Sequence, residues 1–251
     1  MKKIALISAN LGKIDSNDVI KHAPQVLNKD YQLEFISLND RNFYPRINSL
    51  HPRLQAKIPK MLVWEVAPDY DIYIWMDSSI KLIKHDSINW LIEQLNGNYI
   101  TLFKHNFRSS IRDELEYIKE HYEKHSRYLI NRYKNEPLQE QVDLYLSDSS
   151  FNDVNLYQGG IFIYDIKNKP ELKLFFKDWF YHCARYSIQD QLSLPYLLHK
   201  HHINPKIINE NIYKSEYIKY FGHQTKLGAL SLVLKNNVKN LIKNIYSSSN
   251  N

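Results

Sequence analysis

The chain has 251 residues, 43% hydrophobic and 24% charged, with six glycines. That balance suits a soluble globular protein and excludes a collagen-like, repetitive or disordered chain. A single cysteine, Cys183, rules out an internal disulfide and a cysteine-built zinc cage, while the net charge of +6 admits an anionic partner without choosing among nucleotide phosphates, anionic lipid and nucleic acid.

In chain order, "KIALIS" (3–8) reads as a strand and about 16–28 as a helix. "LEFISL" (33–38) is a second strand, 53–66 a second helix and "DIYIWMD" (71–77) a third strand. "SINWLIEQLN" predicts a helix over 86–95, capped by Ser87 and ending before Gly97. "YITLFK" (99–104) is a strand, 111–134 a helix, "GIFIYDI" (160–166) a strand and 170–186 a helix. Strands alternating with helices imply an α/β fold with a mainly parallel sheet covered on both faces. No linker interrupts the pattern, so residues 1–228 read as one domain and 229–251 as a C-terminal appendage. The basic N-terminus has too short an apolar run for a secretory signal, and no run reaches the ~20 apolar residues of a membrane span. A cytoplasmic protein is the expectation.

In open α/β sheets ligands bind beyond the C-terminal strand ends. "YDIYIWMDSSIKL" (70–82) delivers one acid, Asp77, to such an end. Asp77 is either a ligand-binding carboxylate or a cap for the next turn. Ser79 stands where a second acid would complete a divalent-cation pair, which leaves a weakened site for manganese or magnesium. In "HPRLQAKIPK" (51–60), Arg53, Lys57 and Lys60 share one helical face, with Pro59 set to distort its last turn. Three cations there either hold a diphosphate or form a solvated surface. Gly159 and Gly160 in "LYQGGIFIYDI" permit close approach of backbone to a ligand, or form a bulge. "RYSIQDQLSLPYLL" (185–198) begins a helix near Ser187 or Asp190, where a carboxylate is a general base, a partner for a sugar or a cap. "YFGHQTKLG" (220–228) sets His223 and Lys226 in a glycine-flanked loop, as a metal ligand and a neutraliser of a leaving phosphate.

Five stretches in order, "HPRLQAKIPK", "YDIYIWMDSSI", "KHNFRSSIRDELEYI", "YQGGIFIYDI" and "IQDQLSLPYLL", cover roughly residues 50–200. Together they resemble a glycosyltransferase-like family, once labelled a domain of unknown function, that includes plant mucilage-related and pollen turgor-related proteins and bacterial members. The resemblance implies a single GT-A-like domain and transfer of a sugar, from a UDP-sugar before other nucleotide sugars, to a glycan acceptor such as a surface polysaccharide or lipid-linked glycan. It implies that Arg53 and Lys57 are its basic motif, Asp77 its strand-end acid, and His105, Arg108 and Arg112 its substrate-side His–Arg segment. Gly159, Gly160, Asp190 and Gln191 match its later motifs, and "GHQTKLG" is similar to the closing His–Lys loop of retaining GT-A enzymes. Asn10, Arg53, Lys57, Asp77, Ser79, Gly159, Gly160 and Lys226 are thus the donor-binding candidates. Asp190, Asp77 and Gln191 are the catalytic ones, and Asp77 with His223 the metal candidates. Retention of configuration is favoured on resemblance alone.

Two other classes compete. A lipid amidase or other hydrolase, a role proposed within that family, finds no Ser-His-Asp or His-Glu-x-x-His signature here. A non-catalytic carbohydrate- or nucleic-acid-binding module lacks a recognisable nucleic-acid motif, and Asp77 and Asp190 would oppose a polyanion. In the tail, Leu230, Val233, Leu234, Val238, Leu241, Ile242 and Ile245 recur at helical spacing beside Lys235, Lys239 and Lys243. Such a helix either docks reversibly on anionic membrane, at the inner face of the cytoplasmic membrane, or packs on protein.

Overall fold

The computed structural model describes residues 1–12, 21–43 and 50–221. Two parallel strands, β1 (Lys2–Asn10) and β2 (Tyr31–Asn39), open the chain. The basic segment follows as three short helices, α1 (Pro52–Gln55), α2 (Lys57–Met61) and α3 (Val63–Val66). The predicted helix over 53–66 is therefore broken, at Ala56 and again at Leu62, whose φ of −117° and ψ of 38° are not helical. The other half of that pattern, at 21–28, is irregular rather than helical, and 16–20 lie outside the described residues.

Next come β3 (Ile72–Met76), β4 (Ile80–Leu82), α4 (Ser87–Glu93) and β5 (Ile100–Lys104). Asp86, not Ser87, is the N-cap of α4. The Ser87 hydroxyl is buried and donates to the carbonyls of Lys84 and Tyr217. The predicted helix 111–134 divides into α5 (Ile111–Glu123) and α6 (Arg127–Tyr133), separated where His125 takes a φ of +54°. Then follow α7 (Leu138–Leu146), β6 (Tyr157–Tyr164), α8 (Leu172–Arg185), α9 (Asp190–Lys200), β7 (Lys206–Ile208) and β8 (Ile218–Tyr220).

The six-stranded sheet has the order β2-β1-β3-β6-β5-β7. It is mainly parallel in its three pairings β1–β2, β1–β3 and β5–β7, but β6 runs antiparallel to both its neighbours. A separate antiparallel pair joins β4 to β8. All five residues of β3 are buried, as expected of a strand covered on both faces. Alternation sends Tyr73 and Trp75 to the cluster that holds Phe162, Phe176 and Trp179 of β6 and α8. Ile72, Ile74 and Met76 go to the opposite cluster, with Ile88 and Leu91 of α4. A third cluster, built on Leu115, Leu129, Val142 and Tyr145, serves α5, α6 and α7.

Trp179 is wholly buried, lies 5.6 Å from the Phe162 ring and donates from Nε1 to the carbonyl of Asp190 at 3.0 Å. Trp179→Ala is expected to cost about 3–5 kcal/mol, and the lower urea midpoint measures it. An unchanged midpoint would contradict this packing.

Candidate active site

The C-terminal end of β3 is where the expected ligand rim forms. Asp77 is the residue after β3, and its backbone N–H donates to the carbonyl of Gly160 at 2.7 Å. Its Oδ1 accepts from Nε1 of Trp75 at 2.8 Å, and its main-chain carbonyl accepts from Ile80. Because β6 is reversed, its N-terminal end reaches the same rim and brings Gly159 and Gly160 to Asp77. The bulge reading of this glycine pair is realised. The β5–β6 register shifts between Leu102 and Phe103, which pair with Phe162 and Gln158, so a bulge lies opposite. Close approach is also required: a Cβ on Gly160 would stand 3.3 Å from Oδ2 of Asp77, and one on Gly159 3.0 Å from Oδ1 of Asp190.

Asp190 opens α9, and Nζ of Lys57 and Nζ of Lys60 both donate to its Oδ2 at 2.5 Å. All three side chains are buried. Burial pushes the Asp190 carboxyl up, but the two ammonium groups outweigh it and hold it well below the usual carboxylate range. Burial likewise works against the Lys60 ammonium, and Asp190 followed by Asp77 more than restores it. Lys60 also lies 5.6 Å from the centre of the Trp75 ring. A carboxylate clamped in this way is a weak proton acceptor, which argues against Asp190 as general base and gives it a positioning role. Lys57 is likewise committed to Asp190 rather than open on a solvated face.

Arg53 belongs to α1, which is seated against the end of β1. Gly12 has a φ of +82°, and a Cβ there would meet Pro52 at 2.8 Å, so glycine is needed on both counts. His51 caps α1 by accepting from the N–H of Arg53. Beyond the ends of β1, β2 and β3 lies a pocket of about 330 Å³, lined by Ser8, Asn10, Phe35, Ser37, Asn39 and Asp77 among others. His22 stacks on Phe35 there with ring centres 5.4 Å apart. Asn10 and Asp77 thus border one cavity. Ser79 is buried, and its carbonyl accepts from the N–H of Phe221.

The His–Arg segment works differently from a set of free substrate ligands. His105 is buried, and its Nδ1 accepts from the N–H groups of Phe107 and Arg108. Burial, then the Arg108 charge, lower its pKa to about 4, so it is neutral at physiological pH. Arg108 pairs with Glu114 through Nε and lies 4.0 Å from the Tyr117 ring. Arg112 is exposed on α5, with its N–H on Asp153. The segment's visible effect is to hold up Phe107, which is 67% exposed. Gln191 donates to the carbonyl of Tyr157 and receives a long 3.3 Å bond from Gln189.

The motifs did not single out Gln189, Glu114, Tyr133 or Arg132. Gln189 donates to Glu114 at 2.6 Å and accepts from Tyr133 at 2.7 Å, tying α5 and α6 to the start of α9. Ser187 is buried and donates to Gln141. Among the described residues no three His, Cys, Asp or Glu side chains converge on a metal position. Asp77 is a lone carboxylate there, with one oxygen engaged by Trp75, so the described residues do not by themselves build a cation site. His223, Lys226 and the tail 229–251 lie outside the described residues.

A family described as "TOD1/MUCI70, glycosyltransferase-like domain" matches residues 46–226. No curated protein matches the chain. Among solved structures, the apo form of mouse xyloside xylosyltransferase 1 is similar with a TM-score of 0.47 and 7% identity, over 83% of this chain and 85% of that one. A glycosyltransferase involved in glycosylation of the major capsid of PBCV-1 gives 0.43 and 7%, over 89% and 95%. The apo bifunctional glycosyltransferase WbbM gives 0.42 and 13%, over 83% and 39%. Likenesses this distant assign no residue a role.

Asp190→Asn leaves two buried ammonium groups without their anion, and its expected cost at neutral pH is about 3–5 kcal/mol. The folded carboxyl titrates below its ordinary 3.8, so its contribution is fully present above that value and is lost as pH falls through the folded pKa. Urea denaturation from neutral pH to about pH 2.5 therefore shows a gap between the two proteins that narrows below about pH 4. A constant gap, or none at neutral pH, would contradict the assignment.

Proposed function

The chain belongs to the TOD1/MUCI70 glycosyltransferase-like family, and we propose that it transfers a sugar from a nucleotide donor, a UDP-sugar first among them, to a glycan acceptor. The observation that carries this reading is Asp77, set on the rim of a pocket closed by the ends of β1, β2 and β3 and backed by two cationic side chains, Lys60 and Arg132. The pocket's mixed lining suits a nucleoside: Phe35 and His22 offer flat faces, and Ser8, Asn10, Ser37 and Asn39 offer polar groups. Arg53, whose Nη1 is buried with no hydrogen-bond partner among the described residues, supports a contact with the diphosphate.

In the reaction the bond from the anomeric carbon to the phosphate oxygen breaks, and the electron pair stays on that oxygen. The acceptor hydroxyl oxygen forms the new bond and gives up its proton. Asp77 accepts hydrogen bonds from donor hydroxyls. A manganese or magnesium ion, where bound, would have Asp77 alone among the described residues to hold it and would supply charge neutralisation. The ion pairs on Asp190 support the retaining course, in which the leaving phosphate rather than a carboxylate takes the acceptor's proton. Asp190 then holds the floor beneath the sugar.

For the acceptor, Phe107, Tyr213 and Tyr220 form a row with ring centres 5.3 and 5.2 Å apart. Tyr220 lies within electrostatic reach of Asp77, so the row leads outward from the rim. Phe107 and Tyr213 are exposed and Tyr220 is half-buried, and flat rings of this kind suit the faces of a glycan.

Asp77→Ala should retain the wild-type melting temperature and lose transfer by about 10²–10³-fold, measured as sugar release or transfer across a panel of nucleotide sugars. Near-normal turnover in the folded variant would remove Asp77 from the site.

The basic amphipathic pattern of 229–251 supports a lipid-linked acceptor and a station at the inner face of the cytoplasmic membrane. Co-sedimentation with anionic liposomes is expected for the full chain, not with neutral lipid and not after removal of 229–251. Equal recovery of both forms in the supernatant would assign the tail to packing instead.

A further inference from the structure

Arg132, in the last turn of α6, carries a guanidinium that is incompletely partnered. Its Nη1 donates to the Tyr128 hydroxyl at 2.7 Å, and its centre lies 5.6 and 5.4 Å from the Tyr128 and Tyr133 rings. Its Nε is buried with no hydrogen-bond partner among the described residues, and so is Nη1 of Arg53. A buried donor left unmade is costly, and two on neighbouring cations are more so. Burial and then the Arg132 charge depress the Arg53 guanidinium, which places the two cations within reach of each other.

The surrounding acids do not satisfy them. Asp190 and Asp77 both attract Arg132, but Asp190 already holds Lys57 and Lys60. Glu136 faces both arginines, and its Oε2 accepts from the N–H of Ile188 at 3.0 Å. Five cations (Arg53, Arg108, Arg132, Lys57 and Lys60) thus meet four carboxylates (Asp77, Glu114, Asp190 and Glu136), with Arg108 already paired to Glu114. The excess is positive, and the unmet donors are guanidinium N–H groups, the geometry that recognises phosphate in a forked manner.

We propose that Arg53 and Arg132 form a two-arginine clamp on the donor's diphosphate, with Arg132 on the phosphate that leaves the sugar. This rests on the nucleotide-sugar reading and adds to it a residue of α6. As the anomeric bond breaks, the departing oxygen gains a full negative charge, and a preplaced guanidinium stabilises it without rearrangement. A lysine at 132 supplies the charge without the fork.

The test is calorimetry on the full chain with pyrophosphate, UDP, GDP, uridine and D-glucuronate, for wild type, Arg132→Gln, Arg132→Lys and Arg53→Lys. Arg132→Gln is expected to weaken pyrophosphate and UDP by roughly ten-fold or more and to leave uridine unchanged. Arg132→Lys recovers part of the loss, and pyrophosphate raises the melting temperature of wild type more than that of Arg132→Gln. Unchanged affinity for UDP and pyrophosphate in Arg132→Gln overturns the clamp while the donor reading stands. So does a loss confined to D-glucuronate, which would assign the arginines to an acidic acceptor sugar. A wild type that binds none of UDP, GDP and pyrophosphate overturns the donor reading and the clamp together. Should Arg132→Gln fail to fold, Arg132→Lys still decides, since full retention of pyrophosphate affinity and of transfer rate rejects a forked contact.

Discussion

The candidate site is organised around one buried carboxylate shared by two ammonium groups, Asp190 between Lys57 and Lys60. Desolvating three charges is expensive, and the attraction among them recovers much of that cost without making the cluster a source of net stability. Its effect is geometric. The three charges bind α2 to the first turn of α9, and the Trp179 bond to the Asp190 carbonyl adds α8. Gly159 lets the strand lie directly on the cluster, since any side chain there would press on Asp190. Lys60 then stands within reach of Asp77, so the buried cluster and the rim acid belong to one electrostatic unit.

That unit depends on the direction of β6. Were it parallel to β3, its glycines would lie at the opposite edge of the sheet and Asp77 would face only helix ends. Reversed, β6 brings the Gly159–Gly160 pair to the N–H of Asp77. The bulge opposite Leu102 and Phe103 loosens the ladder at that place, where a regular pairing would leave less room for two carboxylates.

Much of this was legible in the sequence, for identifiable reasons. Four of the five predicted strands announced themselves because both faces of the central sheet are covered, giving short apolar runs between polar stretches, while the edge strand β2 showed itself by composition alone. Asp77 stood out as the lone acid at the end of such a run. The strand direction of β6 was not legible, because a buried strand reads the same forwards and backwards. Nor was the break of the 53–66 helix at Leu62, a residue with good helix propensity overruled by tertiary packing. The pairing of Lys57 and Lys60 with Asp190 spans about 130 residues, and no local pattern encodes it. Arg132 lies in "LINRYKN", within the predicted helix over 111–134 but in no motif, and its place is visible only once α6 has folded against α9.

The α5–α7 segment stands apart from the buried charge cluster yet is tied to it. It has its own apolar cluster, so its packing is largely independent of the central sheet. It is joined to the site by a narrow polar link, Glu114 to Gln189 to Tyr133, ending one residue before Asp190. Burial raises the Glu114 pKa, and the ion pair with Arg108 opposes that shift, so the same link reaches the loop that presents Phe107. Changes on the outer faces of α5 and α6 therefore reshape the aromatic row without disturbing the Lys57–Asp190–Lys60 cluster. Changes in the link reach both. The central cluster and the α5–α7 cluster meet at α9, where Tyr196 packs against both and Leu192 joins the second, as well as through Gln189, so a change in that helix reaches both.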